Sequence, residues 1–338
     1  MTLFTGQHIL SVAQFTPEHI DVLFNTADRL LPYARRERVT NVLEGAILNS
    51  LFFEPSTRTR VSFGCAFNLL GGHVRETTEI KTSSLAKGES LYDTAKVLSG
   101  YSDIMVMRHP MEGSVQEFAQ ASRVPVINGG DGSNEHPSQA LLDLYTIRNE
   151  LARHGAKIHG MRIAMVGDLA HGRTVHSLSR LLSLYRNITF VFISPKALCM
   201  PIEIVQRLIE AGHEVIETES LEEGLADVDI VYQTRIQEER FPSQLEAEKY
   251  KGAYRINRFV YSQFCQPTTV IMHPMPRDAR PNANELDADL NEHPNLAIFR
   301  QADNGVVIRM ALFAEILGVA DQVESKSRPV NWYTGKRF

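Results

Sequence analysis

The segment "FEPSTRTR", residues 53–60, follows the apolar run "AILNSLF" (46–52) and places Ser56, Thr57, Arg58, Thr59 and Arg60 in succession. A chain leaving a buried strand has no packing use for three hydroxyls and two guanidinium groups. If a helix starts here, its first backbone N–H groups point back toward the loop, and Ser56 and Thr57 are candidate caps. Those donors, the hydroxyls and the Arg58 guanidinium together suit a doubly charged oxyanion such as phosphate. GxxxxGK[ST] is absent, so this is not a nucleoside-triphosphate loop of the Walker kind.

Other candidates are individually weaker. "KTSSLAKGES" (81–90) offers Ser83, Ser84 and Lys87 in a small-residue loop; read alone, it is a solvated surface loop. Arg108 directly follows an apolar strand in "VMRHP", where parallel sheets place ligands. In "GGDGSNEHPSQALLDL" (129–144) a glycine-rich turn precedes His136 and Gln139, one helical turn apart on one face. A histidine there suits carbonyl polarisation or, more commonly, a bond to its own loop. "MVGDLAHGRTVHSL" (165–178) lacks the close glycine pair of a dinucleotide fingerprint and instead puts Arg173 at a helix start. "YQTRIQEERF" (232–241) places Arg235 and Gln237 past a strand end, and "MHPMPRDARP" (272–281) sets Met275 and Pro276 in an extended turn. His273 reads as a buried bridging residue.

These residues need a scaffold. Nine short apolar runs, at 46–53, 73–77, 103–107, 124–128, 162–168, 188–194, 214–218, 229–234 and 268–273, read as strands covered on both faces. Helical patterns alternate with them, including 90–101, 136–155 and 201–212, which implies parallel sheets with right-handed crossovers. "TPEHIDVLFNTADRLLPYARR" opens with Thr16 as cap and Pro17 at the first helical position. The expected fold is α/β with two domains, each a parallel sheet flanked by helices. We expect a first domain at 1–139, a connecting helix at 140–151, a second domain at 152–295, and a loose polar tail at 319–338. The pattern at 304–318 is an amphipathic helix whose domain the periodicity does not decide.

Composition narrows the partners. At 338 residues, 43% hydrophobic and net charge -5, the chain reads as an ordinary globular protein without the basic face of a nucleic-acid binder. Cys65, Cys199 and Cys265 are too far apart for a disulfide framework or zinc knuckle. No apolar run reaches the roughly 18 residues of a membrane span, and no secretory signal is read, so a cytoplasmic location is expected. With no cofactor fingerprint, metal cluster or activated nucleophile in the sequence, cationic loop ends in both halves suggest direct transfer between two anionic small molecules.

Seven motifs occur in order: "FEPSTRTR", "KGES", "MRHP", "GDGSNEHPSQALLDLYT", "GDLAHGRTVHSL", "TRIQEERF" and "HPMPR". Over roughly residues 5 to 318 the chain resembles the aspartate/ornithine carbamoyltransferase family, on its aspartate side. The resemblance implies two α/β domains with the last helix returning to the first. It also implies attack of the L-aspartate amine on carbamoyl phosphate, an early step of pyrimidine synthesis that needs no cofactor. Ser56, Thr57, Arg58 and Thr59 are then expected to hold the phosphate, with Thr59 also reaching the carbonyl oxygen. Arg108 and His136 hydrogen-bond that oxygen, and Gln139 orients the carbamoyl amide. Arg173, Arg235 and Gln237 bind the aspartate carboxylates, and backbone at Met275 and Pro276 contacts the reacting amide and amine. Glu54 is expected to pair with Arg173 or Arg235 as the domains close, with Arg240 joining. Ser83 and Lys87, with Ser84 next in register, enter a neighbouring chain's site, which implies a homotrimer; regulatory chains or dihydroorotase are further possible partners. After "HPMPR" the run "DARPNANELD" departs from the family pattern. The rivals are an ornithine enzyme, which typically shows "HCLP" where this chain has "HPMP", and a catalytically silent assembly homologue.

Overall fold

The computed structural model describes residues 3–78, 88–236, 250, 252, 254–280 and 283–335. The chain divides into two compact units, Met1–Leu142 with Asp303–Phe338, and Asp143–Ala302.

In the first unit, helix α1 (Pro17–Ala34) starts as its sequence dictates. Thr16 accepts from the His19 backbone, and Pro17 occupies a position whose N–H is not needed. A short strand β1 (Arg38–Thr40) follows, then β2 (Ile47–Phe52), α2 (Thr57–Leu69), β3 (His73–Thr78), α3 (Leu91–Leu98), β4 (Ile104–His109), α4 (Ser114–Ala121) and β5 (Val126–Asp131). Among the described residues the central sheet runs β3-β2-β4-β5, all parallel. β2, β4 and β5 are apolar runs because both their faces are covered; Leu48, Leu51, Met105, Val106 and Ile127 are fully buried.

Helix α5 (Pro137–Arg153) carries the chain into the second unit. There β6 (Arg162–Val166), α6 (Arg173–Leu182), β7 (Thr189–Ile193), α7 (Ile202–Glu210), β8 (Glu214–Thr218), α8 (Leu221–Leu225), β9 (Ile230–Gln233), α9 (Arg258–Phe264) and β10 (Val270–Met272) build a second parallel sheet. Its order among the described residues is β10-β9-β6-β7-β8. All nine strands expected from apolar runs are present, within a few residues of their expected ends.

The long helix α10 (Ile298–Ile316) returns to the first unit from Asp303 onward. Phe313 packs edge-on against Phe63 and Phe67, which stand one turn apart on α2, with ring centroids 5.9 and 5.0 Å away. Such pairs add about 0.5–1.5 kcal/mol each beyond their burial.

Part of the segment after Gly318, expected to be a loose tail, carries secondary structure, up to Pro329. Strand β11 (Ser327–Pro329) pairs antiparallel with β1, and Arg29 donates to Glu324 from Nε and Nη2 at 2.9 and 2.8 Å. Thr40 Oγ1 donates to the Val323 carbonyl. Backbone pairing and ion pairs leave no apolar period, so hydrophobic patterning does not reveal this element.

Candidate active site

Each sheet has a switch point, where successive strands depart in opposite directions and the crevice at their carboxyl ends is open to a ligand. In the first unit it lies between β2 and β4, because β3 flanks β2 on one side and β4 on the other. The register sets Phe52 opposite Arg108, so the loop leaving β2 begins level with that arginine. Phe53 N donates to the Arg108 carbonyl at 2.9 Å, tying the two strand ends together.

Helix α2 begins at this crevice. Ser56 is its N-cap residue, but no side-chain capping bond forms, contrary to the expected capping role. Its hydroxyl is not consumed by the helix. The two arginines of the motif separate by partner. Arg60 pairs with Glu76 on β3 at 2.6 Å, a structural use. Arg58 is exposed and makes no ion pair or side-chain hydrogen bond among the described residues. Thr57 is exposed, and Ser56 and Thr59 are half-buried.

Arg108 is buried, 8% exposed, and its Nε donates to Glu54 Oε2 at 2.8 Å while Nη2 reaches the same oxygen at 2.8 Å. Nη1 donates to the Gly129 carbonyl at 3.4 Å. Burial pulls the Arg108 pKa down and Glu54 opposes that shift. Within the first unit Glu54 therefore pairs with Arg108, because it leaves β2 beside the end of β4.

The turn before His136 is organised by Asp131. Its Oδ1 accepts from Asn128 Nδ2 at 2.9 Å and Glu135 N at 3.1 Å; its Oδ2 accepts from Gly113 N and Asn134 Nδ2, both at 3.0 Å. Gly132 has φ +57, and a Cβ there would lie 2.9 Å from the Pro110 carbonyl, so only glycine permits the fold of this turn. His136, buried, and Gln139, half-buried, thereby sit at the start of α5.

One residue here escaped the sequence reading. Arg309 of α10 is buried; Nη1 donates to Ser62 Oγ at 2.6 Å and Nη2 to Ser138 Oγ at 3.4 Å. Ser62 Oγ in turn donates to the Thr59 carbonyl. Arg309 thus braces α2 against the start of α5. The available signal was a lone cation inside the apolar pattern "NGVVIRMALF".

The second unit repeats the logic. Its switch point lies between β6 and β9, and Val166 stands opposite Gln233. Gly167, at φ +110, lets the two strand ends meet: a Cβ would lie 2.5 Å from the Thr234 carbonyl. Thr234 Oγ1 accepts from Asp168 N and donates to the Val166 carbonyl. Gly172 is similarly close to the Asp168 carbonyl. These glycines serve strand-to-loop packing, not a pyrophosphate, and they set Arg173 at the first position of α6 with Arg235 just past β9. Both are half-buried.

β10 lies beside β9 and leads to Met275 and Pro276, joined by a cis peptide bond. His273 is 1% exposed and bridges, as expected. Its Nδ1 accepts from Met275 N at 2.8 Å, so Nε2 carries the proton and donates to Glu285 Oε1 at 2.7 Å. Glu285 also accepts from Asp278 N. The departing segment after "HPMPR" therefore supplies a carboxylate that pins this turn. Ser83, Ser84, Lys87, Gln237 and Arg240 lie outside the described residues.

Two α/β units, each a parallel sheet flanked by helices, one with hydroxyls and an exposed arginine at a helix start and the other with two arginines beside its switch point, define a two-domain α/β protein. A family model for the aspartate/ornithine carbamoyltransferase carbamoyl-P binding domain matches residues 7–149, and one for the Asp/Orn binding domain matches 159–316. The chain belongs to the aspartate/ornithine carbamoyltransferase family. It is 66% identical over 335 residues, 99% of each chain, to the aspartate carbamoyltransferase catalytic subunit of Saccharophagus degradans. Among solved structures, the catalytic subunit of M. jannaschii aspartate transcarbamoylase is similar with TM-score 0.83 and 43% identity, covering 94% of this chain and 99% of that one. Trypanosoma cruzi aspartate transcarbamoylase in complex with N-(phosphonacetyl)-L-aspartic acid is similar with TM-score 0.85 and 35% identity, covering 94% and 98%.

Proposed function

We propose that this chain is an aspartate carbamoyltransferase: carbamoyl phosphate and L-aspartate give N-carbamoyl-L-aspartate and phosphate, an early step of de novo pyrimidine synthesis. The 66% identity to a catalytic subunit of that name, across 99% of both chains, carries the reading. The residues fit it.

In this reading the first unit, with its core at 1–139 and the returning helix 304–318, takes carbamoyl phosphate, and the region 152–295 takes aspartate. Ser56, Thr57, Arg58, Thr59 and the first N–H groups of α2 hold the phosphate. Arg58 suits this because Glu76 engages Arg60 instead. The aspartate amine attacks the carbamoyl carbon, the carbonyl oxygen takes up negative charge, and Arg108 and His136 donate to it. Gln139 orients the amide. The carbon–oxygen bond to phosphate then breaks, phosphate leaves with the electron pair, and the amine nitrogen gives its proton to the departing phosphate. Arg173, Arg235 and Gln237 fork the two carboxylates of aspartate, with backbone at Met275 and Pro276 against the reacting groups.

A second carboxylate-binding arginine and "HPMP" favour aspartate over ornithine. Carbamoyl phosphate with aspartate or ornithine in parallel assays tests this: product from ornithine alone refutes the assignment, and no product from either supports a silent homologue.

The proposal extends to a homotrimer in which Ser83 and Lys87 complete a neighbour's site. Val61, Tyr92, Val97, Tyr101 and Met111 in the first unit are exposed large apolar side chains, in keeping with self-association. Mixing Arg58→Ala with Lys87→Ala chains is expected to restore part of the activity; no recovery removes the shared site. Among the described residues no helix is long and apolar enough to cross a membrane, and we place the enzyme in the cytoplasm. Sizing the complex from its native extract distinguishes a bare trimer from one carrying regulatory chains or dihydroorotase.

A further inference from the structure

A buried polar chain runs through the second unit and ends at Met275. Asp143 on α5 is 0% exposed. Tyr232 Oη donates to its Oδ2 at 2.6 Å, and Gln301 Nε2 donates to its Oδ1 at 2.7 Å. Gln301 Oε1 accepts from His273 N at 2.9 Å, and His273 Nδ1 accepts from Met275 N. Tyr232 is itself fully buried, and Gln301 is 2% exposed.

A core needs none of this. Burying a carboxylate with a phenol and an amide is costly, and apolar side chains of similar volume usually serve stability as well or better. The arrangement acquires a purpose from what each branch touches. Tyr232 lies on β9 three residues before Arg235, and His273 holds the turn at Met275 and Pro276. Asp143 is the common node of both loops. Its hydrogen bonds have fixed lengths and directions, whereas apolar packing would permit each loop to slide independently.

We propose that Asp143 is a positioning residue for the second substrate: through Tyr232 and Gln301 its carboxylate sets the spacing of the loops bearing Arg235 and Met275. This rests on the reading of those loops as part of the aspartate site. Tyr261 provides a matched control. It is a buried tyrosine of the same unit whose hydroxyl donates to the Thr269 carbonyl at 2.8 Å and bonds to neither loop.

The test compares Tyr232→Phe and Tyr261→Phe in the assembled enzyme by three readouts: KM for aspartate, Kd for N-(phosphonacetyl)-L-aspartic acid, and Kd for inorganic phosphate. Loss of a hydrogen bond to a buried carboxylate is expected to weaken the first two about tenfold. Phosphate binding, confined to the first unit, stays within about twofold. Tyr261→Phe leaves the ratio of bisubstrate to phosphate affinity unchanged, whatever it does to melting temperature. Should Tyr232→Phe not fold, Gln301→Met cuts the other branch and is expected to give the same split. Equal losses for both ligands, or the same ratio in both tyrosine variants, overturn the proposal. If the parent enzyme binds phosphate but neither turns over aspartate nor binds the bisubstrate compound, the functional reading itself falls, and this inference with it.

Discussion

Replacing Arg108 by lysine keeps the charge and removes the fork, so it isolates what geometry contributes. The guanidinium carries five N–H donors. Nε and Nη2 each spend one on Glu54 and Nη1 spends one on Gly129, which is three, leaving two among the described residues. The edge facing Glu54 is occupied; the remaining two N–H groups belong to the terminal nitrogens and form the face proposed to meet the developing oxyanion. An ammonium has three donors on one nitrogen and no second edge. A lysine that satisfies Glu54 is therefore drawn away from the carbonyl oxygen. Losing an oxyanion donor costs about 2–4 kcal/mol in the transition state, roughly 30- to 1,000-fold in kcat. The stability cost is smaller. The Arg108 side chain is 10% exposed but Glu54 is 32% exposed and recovers much of its hydration, so about 1–2 kcal/mol is expected. Steady-state kinetics with both substrates, calorimetric titration with inorganic phosphate and chemical denaturation read the three quantities separately. Phosphate affinity is expected to stay within about threefold, because Ser56, Thr57, Arg58 and Thr59 remain. A kcat within about fivefold of the parent, or a phosphate affinity that falls as far as kcat, refutes the reasoning.

Gly167→Ala places a Cβ 2.5 Å from the Thr234 carbonyl at φ +110; about 2–3 kcal/mol of destabilisation by denaturant titration is expected, with a raised KM for aspartate. A loss under about 0.5 kcal/mol contradicts the close approach. Burial holds His273 below the ordinary histidine value of 6.5, and its bond to Glu285 opposes that shift. The unfolded chain therefore takes up the proton first, so stability is at its plateau above that pH and declines as pH falls through it. Thermal unfolding from about pH 7 to 5 should show this slope in the parent and a flatter one in His273→Gln; identical slopes count against it. Burial pushes the Cys265 thiol up to about 12, while Cys199 is exposed. Iodoacetamide at about pH 8 should label Cys199 first, with Cys265 reacting only on unfolding; mass spectrometry showing equal labelling disproves the burial argument.

Much of the first unit's candidate site was legible along the chain because it is local. Ser56 to Thr59 are consecutive, and a strand followed by a helix start is itself an oxyanion site. Arg108 and Arg235 were found for a related reason: they stand at or just past the end of an apolar run, and parallel sheets put strand ends on one edge; Arg173 was found at the helix start that follows such a run. Strands buried on both faces must be apolar throughout, so β2, β4, β6, β7, β9 and β10 were visible as runs; β3 and β8, expected to be covered as well, are edge strands that remain largely exposed. The polar segment at 327–329 was misread because a strand held by backbone bonds in a two-stranded ribbon carries no such run.

Sequence alone, then, determined which residue types wait at the strand ends. Only the tertiary structure decided which of them are already engaged. Arg60 is committed to Glu76 and Arg58 is not; Glu54 belongs to Arg108; Arg309 reaches Ser62 across 247 positions of chain. Asp143, indistinguishable in the sequence from any aspartate on a helix, becomes the node of a buried network. The reason is physical. Burial and helix starts follow from neighbours a few residues away, whereas the partner of a charge is set by which distant groups the folded chain brings within about 3 Å.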